Sequence, residues 1–326
     1  MKAGKLPIEL LEKLIFSHIN IKNREVVAGP AIGMDCGALD IDGNLMVFTS
    51  DPITAAGKGA GKLAIHVNCN DIATTGLRPI ALLVTVLAPV GTTEEELNDL
   101  AKEMSLEADE MGVDIIGGHT EITDAVSRTI ISVTAMGYGD RKRIEPERKP
   151  QAGDAIIMTK VAGLEGTSIL CHDKEKELQT ILSIEELVEG QEYSRSLSVL
   201  PEGELGRANG ALVMHDVTEG GVLGAVWELA HGHGLGADVF EKNIPVTELT
   251  KKICVYYNID PLRLISSGTM IMICQDGELM VSRLKEQGIE ARVIGSLKND
   301  GMFVHYKDGT CEELAPPDSD ELFKVI

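Results

Sequence analysis

Continuous apolar runs and amphipathic stripes alternate along the chain, and this pattern predicts most of its elements. Apolar runs of strand length occupy residues 45–48, 80–87, 113–116 and 127–136. Amphipathic stripes predict helices over residues 7–18 and 93–112, and the second helix begins with a capping box formed by Thr93 and Glu96. The first half therefore reads as a mixed α/β or α+β layer.

The second half repeats this alternation, without a clear internal sequence repeat. It is predicted to contain strands at residues 155–159, 210–214, 263–273 and 291–297, with helices at 222–230 and 278–287. The segment between the halves is charged and contains two prolines, which is typical of a linker. We therefore predict an N-terminal domain over residues 1–140, a linker over 141–153 and a C-terminal α/β domain over 154–326.

The stretch from residue 45 to residue 76 carries the strongest candidate chemistry. Asp51 and Pro52 follow the apolar run, and the proline is expected to end that strand. A loop with Gly57, Gly59 and Gly61 comes next, followed by a predicted buried helix over residues 62–75 that contains Asp71. A carboxylate inside a buried helix is costly unless a cation or hydrogen-bond donors meet it.

Two interpretations of these carboxylates stay open on spacing alone. In one, Asp51 and Asp71 hold Mg²⁺ while glycine N–H groups and a helix N-terminus bind phosphate. In the other, Asp51 is a turn residue and Asp71 a structural partner of a lysine or backbone amide. A second glycine-interrupted segment, residues 26–39, is predicted to be extended; it carries Asp35 and indicates a bulge or a close backbone approach.

Composition narrows the classes of partner. The 326 residues carry a formal charge of −21, which argues against nucleic acid or an anionic membrane as a main partner. We find neither a signal peptide nor an apolar run long enough to span a bilayer. The six cysteines are scattered without a CxxC pair, which suits reduced thiols in a cytoplasmic protein.

An ordered set of motifs resembles the aminoimidazole-ribonucleotide-synthetase-like ATP-binding superfamily. The matching segments span nearly the whole chain: residues 33–38, 48–51, 61–64, 70–73, 76–79, 116–120, 153–154 and 216–221. Length and the pattern of residues 214–221 resemble the HypE hydrogenase maturation branch of that family most. The resemblance implies two α/β domains and a homodimer in which the N-terminal strands form a shared barrel.

The resemblance also implies a site for ATP and Mg²⁺. Asp35, Asp51 and Asp71 would be the metal carboxylates, with Asp51, Asp71 and Lys62 in catalytic roles. Lys62 and Asn70 would lie near the phosphates, and Asp216 would face them from the second domain. A backbone turn at the nucleotide would be formed by Gly117, Gly118 and Thr120.

The chain departs from the family pattern at three places. Met34 stands where relatives often have a second acid, and His119 stands where several have an acidic residue. HypE proteins end in a cysteine that is carbamoylated and dehydrated, whereas this chain ends in Phe323-Lys324-Val325-Ile326. We therefore expect no self-cyanation of a terminal thiol.

The expected function is ATP-dependent activation of a substrate oxygen by phosphorylation, on a small molecule or with a maturation partner protein. Two alternatives stay open: a non-catalytic nucleotide-sensing partner in metallocentre assembly, and a phosphotransferase that resembles thiamine-monophosphate kinase. His66 and His215 are candidate substrate or acid/base groups, although packed or solvent-facing histidines are the simpler interpretation. Cys171 and Cys254 are expected to be core residues.

Overall fold

The computed structural model describes residues 4–54 and 59–326. Within them the chain forms two sheets, each accompanied by helices, so the predicted α/β class with two sheet-containing halves is confirmed. Gly57, part of the predicted glycine loop, lies outside the described residues. No described helix combines the length and the apolar character needed to cross a membrane.

The first sheet has six strands in the order β1-β2-β3-β6-β4-β5, and only the β4–β5 pair is parallel. Its strands are β1 Val26–Ala28, β2 Gly37–Ile41, β3 Asn44–Ile53, β4 Pro79–Pro89, β5 Asp114–Thr123 and β6 Ile130–Asp140. The accompanying helices are α1 Ile8–Leu14, α2 Ala60–Thr74, α3 Glu94–Met111 and α4 Arg141–Ile144.

The two long helices follow from their sequence signals. Helix α3 begins at the predicted capping box, in which Thr93 and Glu96 bond reciprocally, and it ends at Gly112 in the left-handed conformation. Helix α2 is buried on nearly every side, which agrees with its almost continuous apolar sequence. Both helices form as predicted. Their packing brings Asp71, inside α2, close to strand β3.

The proline after Asp51 does not end its strand. Strand β3 continues through Asp51 and Pro52, which stand opposite Val133 and Ser132 of β6. The partner on the other side, β2, pairs only as far as Phe48. Beyond that point no strand among the described residues pairs with this edge of β3, so a residue without an N–H is accommodated there.

The segment predicted as one extended stretch over residues 26–39 is interrupted. Strands β1 and β2 flank a loop that contains Asp35. The glycine signal does mark a close approach, because a Cβ on Gly33 would lie 2.7 Å from the carbonyl oxygen of Glu228. That approach brings the loop from the first half against a helix of the second half.

The second sheet has seven strands in the order β13-β12-β9-β11-β7-β10-β8, with only β12 and β9 parallel. Its strands are β7 Ala155–Thr159, β8 Val213–Asp216, β9 Gly236–Phe240, β10 Met270–Cys274, β11 Ala291–Lys298, β12 Met302–His305 and β13 Cys311–Glu313. The helices are α5 Leu164–Asp173, α6 Glu175–Leu178, α7 Ile184–Glu192, α8 Leu200–Ala208, α9 Gly221–Gly232, α10 Glu248–Tyr257 and α11 Gly277–Glu286.

One predicted strand of this half is much shorter than expected. Residues 263–273 were predicted to be a single strand, but the regular strand β10 begins only at Met270. Residues 266–269 instead contact the segment between β7 and α5, as in the bond from the Thr269 hydroxyl to the Val161 carbonyl. The residues predicted as 291–297 and 278–287 form β11 and α11, as expected.

The charged segment between the two sheets begins with the short helix α4. Arg141 pairs with Asp40, and Arg148 reaches the buried carboxylate of Asp154 at 2.6 Å. Two basic side chains of the predicted linker are therefore held in ion pairs within the protein. The linker boundaries themselves remain a prediction.

Candidate metal and nucleotide site

Four carboxylates from separate parts of the chain line one cavity of about 380 Å³. They are Asp35, Asp51, Asp71 and Asp216. Asp35 lies in the β1–β2 loop, Asp51 in β3, Asp71 in α2, and Asp216 at the end of β8. The three acids predicted in the first half therefore meet, and Asp216 faces them from the second half as expected.

Asp51 and Asp71 are each held by a neighbour from the other's element. The Asn68 side chain in α2 accepts from the Asp51 backbone N–H at 2.8 Å and donates to its carbonyl oxygen at 3.2 Å. It thereby replaces the strand partner that β3 lacks at this point. In return, the Thr49 hydroxyl of β3 donates to the Asp71 carboxylate at 2.6 Å. These contacts fix both acids relative to one another.

His215 connects the acids across the two halves. Its ring lies 3.1 Å from the Asp35 carboxylate through Nδ1 and 3.0 Å from the Glu228 carboxylate through Nε2. Burial alone favours a neutral ring, but Asp35, Asp216 and Glu228 raise the pKa of His215 well above its usual value. The imidazole is thus buried between carboxylates, and their charges favour its protonated form.

The electrostatics of this cavity favour a bound cation. Burial, together with repulsion from Asp216, Asp35 and Asp51, raises the pKa of Asp71 well above its usual range. The pKa of Asp216 is also raised, again mainly by burial. A divalent cation would remove this repulsion, as metals do at clustered carboxylates.

The donor atoms present fit such an ion. One ligand atom each from Asp35, His215 and Asp216 lies within 4.8 Å of the others. Neither buried oxygen of Asp216 accepts a hydrogen bond from any described residue, which leaves both available for coordination. The two aspartates of this group supply oxygen ligands, and His215 supplies a ring nitrogen. Hard carboxylate oxygens are what Mg²⁺ prefers.

Two residues predicted near the phosphates have their side chains engaged elsewhere. Lys62 points to helix α3, where its ammonium lies 2.7 Å from Glu107, and it lines a different cavity. Asn70 is fully buried, and its amide pairs with the Leu197 carbonyl and the Val199 N–H of the second half. The structure therefore does not bring Lys62 or Asn70 to the carboxylates. His66, also predicted as a candidate, is buried against Glu107.

Gly117, Gly118 and Thr120 do not form the predicted backbone turn, and their contact with a nucleotide stays a prediction. These residues lie within β5, whose residues from Asp114 to Glu121 are all exposed. A bulge falls there, because Leu82 pairs with Ile115 and Leu83 with Gly117. Gly118 has a φ of 147°, and a Cβ on it would lie 1.8 Å from the Val84 carbonyl oxygen. Gly118 therefore serves the bulge, where a side chain does not fit.

A second cavity, of about 1,130 Å³, adjoins the carboxylates. It shares Lys5, Asp51, Thr218 and Glu219 with the acid cavity, and Phe323 and Ile326 line another part of it. Its size is sufficient for a nucleotide. Glu165, at the start of α5, lies on the same wall; it is buried and accepts from the Ser267 N–H at 3.2 Å.

Several residues of the site carry no local sequence signal. Lys5 lies outside every motif, and Glu228 sits inside an otherwise ordinary apolar helix. Asn68 could be found from its spacing, because it lies three residues before Asp71 and therefore next to it on the surface of α2. The contacts of Lys5 with Thr218 and of His215 with Asp35 join residues more than 100 positions apart in sequence, which spacing does not reveal.

Two protein families match the chain along most of its length. The N-terminal domain of AIR synthase related proteins matches residues 33–138, and the C-terminal domain of the same proteins matches residues 151–307. Two related proteins are similar to this chain over most of its length. A putative hydrogenase expression/formation protein of Methanocaldococcus jannaschii is 30% identical, covering 90% of this chain and 88% of that protein. Carbamoyl dehydratase HypE of Cupriavidus necator is 27% identical, covering 92% and 85%.

Solved structures agree at the level of the fold. A HypE–HypF complex contains a chain with a TM-score of 0.78 and 24% identity, covering 94% of this chain and 99% of that one. A HypE structure in complex with ATP has a TM-score of 0.71 and 22% identity, covering 98% and 97%. The carboxylate cavity, the two matching domains and these similarities agree with one another, and the chain belongs to the AIR synthase related family, with HypE-type hydrogenase expression/formation proteins among its relatives.

Proposed function

We propose that this protein is an ATP- and Mg²⁺-dependent enzyme that activates the oxygen of a carbamoyl group by phosphorylation. The observation that carries the proposal is the convergence of Asp35, Asp51, Asp71 and Asp216 on a cavity that opens into a nucleotide-sized cleft. The carbamoyl dehydratases among its relatives, and the HypE structure with ATP, support this choice of substrate and nucleotide.

The proposed reaction is a transfer followed by an elimination. The carbamoyl oxygen attacks the γ-phosphorus of ATP, the bond from that phosphorus to the bridging oxygen breaks, and ADP leaves. Loss of one proton from the nitrogen leaves a phosphorylated imidate, and departure of phosphate with the second proton then gives the nitrile. Mg²⁺, when bound, supplies charge neutralisation at the phosphates. Asp35, Asp51, Asp71 and Asp216 would hold it, and His215 keeps Asp35 in place.

The carbamoyl group would come from another molecule. None of the cysteines lines either the acid cavity or the nucleotide-sized cleft, among the residues that the structure describes. Cys311 is exposed on β13 and Cys36 is buried with its thiol bonded to the Asp71 carbonyl. Cys171 and Cys254 are buried in the core, as predicted. A partner protein that presents the carbamoyl group, or a small carbamoyl compound, is therefore the proposed substrate.

A homodimer is part of the proposal. Apolar side chains are exposed on β4 and β5 at the edge of the first sheet, namely Ile80, Leu83, Ile115, Ile116 and Ile122. Exposed apolar patches next to an open strand edge commonly mark a protein interface. A shared barrel built from the first sheets of two subunits would cover them.

A turnover assay tests the proposed function. We expect a peptide that ends in S-carbamoylcysteine to stimulate ATP consumption at least about tenfold, with one phosphate released for each nitrile formed. Thiamine monophosphate is the comparison acceptor, and it should give no stimulation. ATP binding without stimulated turnover would favour the nucleotide-sensing partner instead. Stable transfer of phosphate to thiamine monophosphate would show a kinase.

A further inference from the structure

Lys5 occupies the junction between the acid cavity and the nucleotide-sized cleft. It lines both, and its ammonium lies 3.4 Å from the Thr218 hydroxyl and 4.0 Å from the Glu228 carboxylate. Its backbone N–H donates to the Glu219 carboxylate at 3.1 Å. The N-terminal segment is thereby anchored more than 200 residues away in sequence, beside the end of strand β8.

Positive charge is scarce at this place. Lys5 is the only lysine or arginine on the wall of the acid cavity within residues 4–54 and 59–326. Lys62, the lysine that sequence reasoning assigned to phosphate, is paired with Glu107 in another cavity. The same cavity is lined by the four aspartates named above, by Asp318, and by Glu219 and Glu228. One Mg²⁺ ion cannot neutralise both these acids and a triphosphate, so further cations are needed. The larger cleft has Arg128 on its wall, and Lys5 is the lysine that it shares with the acid cavity.

The position of Lys5 matches the path of a bound nucleotide. A nucleotide in the larger cleft that reaches the carboxylates with its terminal phosphate must pass the shared wall, which Lys5 forms with Asp51, Thr218 and Glu219. Its side chain is about half exposed, at 50%. The stem is therefore accessible from the cleft, while the ammonium stays within 4.0 Å of the largely buried Glu228 carboxylate. A flexible stem with a compact charge suits a phosphate whose position changes during transfer.

We propose that Lys5 binds the terminal phosphate of the nucleotide, in the role that Lys62 does not fill. This inference rests on the proposed function, because it presumes that ATP binds in the cleft. It assigns the N-terminal segment to the nucleotide site. It also predicts that the segment distinguishes ATP from nucleotides that lack the third phosphate, since only the γ-phosphate reaches the junction beside the carboxylates.

Equilibrium binding of Lys5→Met tests this assignment. We measure the affinity of the full chain for a non-hydrolysable ATP analogue, for ADP and for adenosine, each with Mg²⁺. We expect Lys5→Met to weaken the ATP analogue about tenfold, to weaken ADP much less, and to leave adenosine unchanged. Lys5→Arg should keep the affinity within about threefold, since the charge is retained.

Lys13→Met is the matched control, because Lys13 is exposed on α1 of the same segment. It should bind all three ligands like the wild type. Equal loss of ATP analogue, ADP and adenosine in Lys5→Met would show a general structural role and overturn the assignment, as would unchanged binding of the ATP analogue. Failure of the wild type itself to bind would overturn the proposed function, and this inference with it.

Discussion

In buffer without metal, Asp71→Asn is expected to be more stable than the wild type and to lose its response to Mg²⁺-ATP. The amide keeps the shape of the side chain and still accepts from the Thr49 hydroxyl, which lies at 2.6 Å in the wild type. It cannot ionise, so it avoids the cost, from burial and from Asp216, Asp35 and Asp51, that raises the pKa of Asp71. Relief of such uncompensated charge is worth about 1 to 3 kcal/mol in the free energy of unfolding.

The same variant is expected to lose ligand binding, although it gains stability without metal. Mg²⁺ with a non-hydrolysable ATP analogue should raise the melting temperature of the wild type and leave that of Asp71→Asn unchanged, because binding to the folded state stabilises it. Asp109→Asn on the exposed face of α3 is the matched control and should behave like the wild type. A variant that is destabilised without metal would contradict the account of Asp71 as a strained metal ligand.

Glu165→Gln is expected to change the dependence of stability on pH. Burial raises the pKa of Glu165 from 4.5 to about 7. Below pH 4.5 the carboxyl is protonated in folded and unfolded chains alike, so burial carries no charge penalty. Above pH 7 the folded state holds a buried anion, so the wild type loses stability as pH rises between these values. The full penalty is about 3 kcal/mol.

Urea unfolding at pH 5 and pH 8.5 measures this difference. The two proteins should be similar at pH 5, whereas Glu165→Gln should be more stable by about 3 kcal/mol at pH 8.5. The glutamine still accepts from the Ser267 N–H that now bonds to Glu165. Glu110→Gln, an exposed change on α3, serves as the control. Parallel pH profiles for wild type and Glu165→Gln would show that Glu165 titrates in its ordinary range.

The acids of the site could be predicted because each one interrupts or ends an apolar segment of the sequence. Asp51 follows an apolar run, Asp71 sits in a helix too apolar to leave a carboxylate unexplained, and Asp216 ends a strand before a glycine-led helix. Each is a local conflict between polarity and burial, and such conflicts are expected at functional sites. The order of these motifs along the chain is also the basis of the resemblance to the family.

Side-chain direction is what the sequence could not supply. Lys62 follows a glycine at the start of a helix, which is a fitting position for a phosphate contact, yet its ammonium finds Glu107 on the neighbouring helix. Helix α2 is apolar on nearly all sides, so periodicity does not say which face meets which neighbour. The paired glycines, Gly117 and Gly118, are equally ambiguous, because a turn and a bulge both require small residues.

The other features that the sequence did not predict depend on long-range contacts. Lys5 reaches Thr218, and Asn70 reaches Leu197, across more than a hundred residues in each case. Neither contact leaves a periodic or spaced pattern in the sequence. The interruption between β1 and β2 has the same origin, since the loop bends to place Gly33 against the Glu228 carbonyl oxygen. Tertiary packing decided these features, and local propensity did not.

The measurement that tests the central claim most directly is calorimetric titration of the wild type with a non-hydrolysable ATP analogue, with Mg²⁺ and with EDTA in its place. The account predicts one nucleotide per chain and an affinity at least about tenfold higher with Mg²⁺, because the four aspartates repel phosphate until a cation lies between them. Equal affinity with and without the metal, or no binding at all, would contradict a Mg²⁺-nucleotide site at these carboxylates.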